Sequence, residues 1–151
     1  MDSLIIFGAK YLFILPVAII AVYFLLSSRK RQMAVFAILD LVLTYAAGKG
    51  LNRVIIDPRP FVSEQVTPLI AHAPDNGFPS DHTLLVAALA GILFCYNRAL
   101  GILVYVLALL IGASRVLAGV HHWEDIIGSL VIAIVSTAII YLLTRRRLFA
   151  Y

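Results

Sequence analysis

Four side chains within one short stretch have the types and spacing to act together on a phosphoryl group: Ser114, Arg115, His121 and Asp125. An Asp four positions after a His lies on the same helical face. Asp125 can therefore hold one ring nitrogen of His121 and leave the other free to attack an electrophile. That is how a histidine nucleophile is built. Arg115 brings a permanently charged fork for phosphoryl oxygens, and Ser114 a hydroxyl donor. Upstream, Pro79, Ser80, Asp81 and His82 open an apolar run. Ser80 or Asp81 can cap its first turn while free N–H groups face an anion, so a phosphate could dock there. Further upstream, Arg59 stands between Pro58 and Pro60, which stiffen the backbone and fix where its side chain leaves the chain. Each cluster alone has a plainer reading: a capped helix with an idle His82, or an arginine snorkelling at a lipid boundary.

The elements that must position these residues belong in a membrane. The 151 residues are 62% hydrophobic, well above the roughly half expected of a soluble domain. Mean hydropathy is +1.00. The length fits one all-α domain over residues 1–151, an integral membrane bundle of about five transmembrane helices at roughly 20 residues each. Leu4 to Leu26 is apolar except for Lys10 and is followed by no small-residue cleavage site, which predicts an uncleaved first span. Met33 to Ile56 predicts the second, Thr83 to Tyr96 the third, Ala99 to Ala113 the fourth and Ile126 to Thr144 the fifth. The stretch from Asp57 to Asp81, rich in Pro, Gly and charge, predicts a loop outside the hydrocarbon.

Threading five spans alternately puts Arg29, Lys30, Arg31, Arg98, Arg145, Arg146 and Arg147 on one side. By the positive-inside rule that side is cytoplasmic, so the candidate residues face the extracytoplasmic side. Although the net charge is +4, the basic residues sit at span ends or in the clusters, and no basic patch for nucleic acid remains. Cys95 lies inside an apolar run and reads as a small packing residue.

Together, in order, the three clusters at 49–60, 79–82 and 114–125 resemble the type 2 phosphatidic acid phosphatase superfamily, whose pattern is K-x6-R-P, then P-S-G-H, then S-R-x5-H-x3-D. The third element matches at every specified position. In the second, Asp81 replaces the family glycine, a variant similar to the branch that includes bacterial undecaprenyl-diphosphate phosphatases. In the first, Arg59 and Pro60 match, but Asn52 stands where the family has lysine. Lys49 lies three residues earlier on the same helical face and could substitute, whereas Arg53 points about 100 degrees away. The family usually carries six spans, so one span fewer is expected here, ahead of the clusters.

The resemblance implies a lipid phosphatase in the cell envelope, acting on a lipid diphosphate in the bilayer. His121 would be the nucleophile, Asp125 its orienting partner and His82 the general acid. Arg59, Arg115, Ser80, Ser114, Lys49, Asn52 and Asp81 would surround the phosphate. No carboxylate, Cys or His cluster with metal spacing is left over, so neither a metal nor another cofactor is expected. Outside the pattern, His122 and Trp123 read as contacts at the membrane interface and His72 as a solvated loop residue. Asp40, the one acid inside a span, reads as a buried hydrogen-bonding or packing residue rather than part of a proton path.

Overall fold

A computed structural model describes residues 1–64 and 66–149. The chain runs through α1 (Asp2–Lys10), α2 (Ile14–Leu26), α3 (Lys30–Asn52), the short α4 (Pro60–Ser63), α5 (Asp81–Tyr96), α6 (Arg98–Leu117) and α7 (Trp123–Leu148). No strand occurs among the described residues, and the expected helical bundle is the fold. Helices α3, α6 and α7 are long and apolar enough to cross a membrane, and α1 with α2 adds a fourth crossing if the bent pair is one span.

The first span is therefore not continuous. Its two halves meet at 41° across residues 11–13. Pro16 explains the break: its ring excludes the carbonyl of Leu12 and it has no N–H to donate, so it is tolerated only in the first turn of a new helix. The fifth apolar helix, α5, has 16 residues. At 1.5 Å per residue this is about 24 Å, short of a hydrocarbon core of about 30 Å. α5 is the central helix, apolar on all sides, and nearly every residue from Thr83 to Leu93 is buried against α6, α7 and α3. Outward stripes such as Val35, Ile38 and Val42 on α3, or Ile102, Val106 and Leu109 on α6, are exposed and face the lipid.

The two ends of the bundle differ in character. At one end Tyr23 donates to the carbonyl of Tyr96, and Phe149 packs on Tyr96 and Phe36. The seven flanking cations belong to this end. At the other end the segment between α3 and α5 folds back over the bundle. Asn76 staples it there: its amide donates to the carbonyls of Asn52 and Ile55, both at 2.7 Å, and its oxygen accepts from the N–H of Asp57 at 2.8 Å.

Candidate active site

The third cluster divides between two helices. α6 continues past the expected boundary, so Ser114 and Arg115 occupy its last turn. Gly119, at φ +74°, then takes the left-handed conformation that a side chain would resist, and the chain reverses. His121 consequently lies in the connection rather than on a helix. His122 is the N-cap of α7: its side chain accepts from the N–H of Asp125, while Asp125 Oδ2 accepts from the N–H of His122 at 3.0 Å. His121 Nδ1 lies 2.9 Å from the same Oδ2. The pair predicted from helical spacing thus forms, but through a capping box at a helix start.

His121 is 2% exposed and Asp125 is fully buried. Burial first, then the charges of Arg115 and Arg59, hold the His121 imidazole well below its ordinary value. That favours the neutral ring, and with a proton on Nδ1 toward Asp125 the Nε2 lone pair is turned toward Arg59. Nη1 of Arg59 lies 3.2 Å from that Nε2. Arg59 is buried and held on two further sides, by Asp75 at 2.7 Å from Nε and by the carbonyl of Val120 at 2.7 Å from Nη1. Burial pushes the Asp75 carboxyl up, but the bond and charge of Arg59 outweigh it and keep that carboxyl below the usual range. Arg115 is also buried. It donates to the carbonyl of Ala9, at the end of α1, while its Nε is buried without a hydrogen-bond partner among the described residues.

Ser129, absent from the sequence pattern, joins the second and third clusters. Its hydroxyl lies 2.7 Å from the Asp125 carbonyl and 3.1 Å from the Ser80 carbonyl, so the start of α5 is held against the start of α7. Ser80 occupies the N-cap of α5 but makes no side-chain cap bond; its hydroxyl accepts from Thr83 instead. The first-turn N–H groups therefore lack a side-chain cap, which suits anion binding. His82 is half-buried, with its ring edge-on to Phe13 at 5.2 Å.

Other expected ligands are placed differently. Ser114 donates to the Leu110 carbonyl and packs against Gly8, where an added side chain would collide with its hydroxyl, so it serves the contact between α1 and α6. Asn52 donates to the Phe78 carbonyl and thereby anchors the loop. Lys49 and Asp81 form a mostly exposed ion pair at 3.5 Å, a rim contact. Asp40 is fully buried, with the Thr137 hydroxyl of α7 as its polar neighbour.

His72 is not simply solvated: its ring packs edge-on to His121 at 6.2 Å. It and Asp75 come from a loop whose polar composition hides which side chains turn inward. The Asp75-Asn76-Gly77 turn was the available signal. The fold also assembles a cluster that linear spacing conceals, in which one ligand atom each from Asp57, His122 and Asp125 lies within 4.8 Å of the others. The expectation that no such cluster remained was read from linear spacing, which does not register residues that converge from separate segments.

Fold and site together define a helical membrane protein with a histidine- and arginine-rich cluster at one end. The PAP2 superfamily model matches residues 32–149, and the chain belongs to that superfamily. It is 34% identical over 140 residues to the undecaprenyl-diphosphatase BcrC of Bacillus subtilis, covering 89% of this chain and 70% of that protein. It is 27% identical over 143 residues to the bacitracin transport permease protein BcrC of Bacillus licheniformis, covering 93% and 70%. The crystal structure of LpxE from Aquifex aeolicus superposes with a TM-score of 0.70 at 22% identity, over 94% of this chain and 87% of that one.

Proposed function

We propose that this protein is an integral membrane lipid phosphatase that works through a phosphohistidine, with undecaprenyl diphosphate as its substrate. The observation that carries the reading is the buried His121, bonded through Nδ1 to Asp125 and presenting Nε2 beside Arg59. Nε2 attacks phosphorus as the bond to the leaving oxygen breaks. Asp125 stabilises the charge that develops on the ring, and His82 protonates the leaving group. Water, deprotonated by His82, then displaces His121 from phosphorus and releases inorganic phosphate. Arg59, Arg115 and the first-turn N–H groups of α5 neutralise the equatorial oxygens, with Ser80 beside them.

The choice of an isoprenoid diphosphate rests on the relative named undecaprenyl-diphosphatase. The flanking cations at the opposite end support an active site on the extracytoplasmic face of a bacterial cytoplasmic membrane. Phosphatidylglycerophosphate, phosphatidic acid and lipid A phosphates are the alternative substrates. The relative named as a transport permease favours a second reading, a small transporter built on the same fold.

Purified protein in detergent, with no ion gradient, should release phosphate across a panel of lipid mono- and diphosphates and turn over undecaprenyl diphosphate fastest. A monophosphate preferred over the diphosphate would move the substrate assignment. Absence of hydrolysis across the whole panel would favour the transporter.

A further inference from the structure

Two side chains that the reaction above does not use, Asp57 and His122, converge on Asp125 of the His121–Asp125 pair. Asp57 follows α3, His122 caps α7 and Asp125 lies in its first turn, and one ligand atom from each falls within 4.8 Å of the other two. The arrangement is held in advance. The N–H of Gly77 donates to the Asp57 carbonyl at 2.8 Å, and the Asp57 N–H is held by Asn76. His122 Nδ1 sits 3.1 Å from Asp57 Oδ1, while its Nε2 sits 3.1 Å from Glu64 Oε1. A carboxylate on the outer nitrogen is the usual device that orients an imidazole toward a metal.

An independent observation points to the same place. Asp125 is fully buried, and both N–H donors that reach it, from the His121 ring and the His122 backbone, use Oδ2. No N–H among the described residues reaches Oδ1; the group that lies against this carboxyl is the Asp57 carboxyl, which can hydrogen-bond to Asp125 only by carrying a proton. Two carboxyl groups in contact need either a shared proton or a cation between them.

We propose that Asp57, His122 and Asp125 form a binding site for one divalent transition-metal cation of the zinc type, and that its occupation restrains the His121 reaction. One imidazole nitrogen and two carboxylate oxygens, with an open position, form a zinc-like donor set. Calcium and magnesium favour all-oxygen shells and fit it poorly. The cation displaces the cap bond that His122 accepts from the Asp125 N–H. Once bound, it draws on the charge of Asp125, which then supports the developing imidazolium of His121 less well, and it adds positive charge beside that ring. The restraint rests on the phosphatase reading; the binding does not.

The test uses the whole chain in detergent, stripped with EDTA, with zinc binding read by competition against a chromogenic chelator and turnover measured on a lipid diphosphate. The expected result is one zinc per chain, with affinity at least tenfold weaker in Asp57→Asn and in His122→Asn, where asparagine still caps α7. Turnover should fall over the same zinc range and recover with EDTA, whereas His122→Asn should turn over without being slowed. Zinc bound equally by the variants, or not stoichiometrically by the parent, would overturn the site. Stoichiometric zinc with unaltered turnover would overturn the restraint. If the stripped protein hydrolyses no lipid phosphate yet the variants lose zinc, the phosphatase reading fails and the site stands.

Discussion

Nη1 of Arg59 lies 3.2 Å from Nε2 of His121, the nitrogen that Asp125 leaves free. In the proposed reaction the guanidinium stands where a phosphoryl oxygen would arrive, and its charge lowers the pKa of the ring. Replacing Arg59 with Gln should lower kcat/KM by about a hundred- to a thousandfold, the order seen when one preorganised donor is lost. It should also shift the pH profile in a known direction. Because the Arg59 charge lowers the His121 pKa, removing it lets the ring hold a proton at higher pH. The acid limb of phosphoenzyme formation should then move upward in pH relative to the parent. An unmoved limb would mean that His121 does not feel Arg59.

The two adjacent histidines have different surroundings, and this separates their roles. His121 is buried against Asp125, whereas His122 caps α7 between Asp57 and Glu64. His121→Ala should abolish an acid-labile phosphoenzyme, and His122→Asn should leave it. The measurement is acid-sensitive label retained on the protein after a brief reaction with labelled substrate. Retention in the His121 variant would sink the assignment of the nucleophile.

The leaving group tests His82. A diphosphate expels a lipid phosphate, whose second pKa is about 6, while a monophosphate expels the far more basic alkoxide. General-acid help amounts typically to a hundred- to ten-thousandfold and matters most for the basic leaving group. His82→Ala should therefore cost lipid monophosphates much more than lipid diphosphates. Equal losses on both would assign His82 to phosphate binding or to activation of water.

Orientation is testable with thiol labelling in a Cys95→Ala background. A membrane-impermeant reagent applied to intact cells should label a cysteine at Ala71, in the loop over the site, and not one at Arg98, at the far end. The opposite pattern would overturn the extracytoplasmic placement.

Hydropathy and spacing were enough to read the helical membrane bundle and the residues of the three clusters, because apolar runs and motif spacings are local properties of the chain; the count of five spans was not, since α1 and α2 are bent against each other and α5 is too short to cross. The pairing of His121 with Asp125 was also legible, although its cause was not. It depends on Gly119 turning the chain and on His122 capping α7, not on a shared helical face. What only the tertiary structure decided is how distant segments converge. Asp75 reaches Arg59, His72 packs on His121, Ser129 joins Ser80 to Asp125, and the Ala9 carbonyl holds Arg115. Ser114 and Asn52 match motif positions or stand in for them, yet their side chains are taken up by α1 packing and by the Phe78 carbonyl. The physical reason is that a loop side chain has no periodicity to reveal its direction. That direction follows from which buried donor or acceptor it satisfies once the helices have packed.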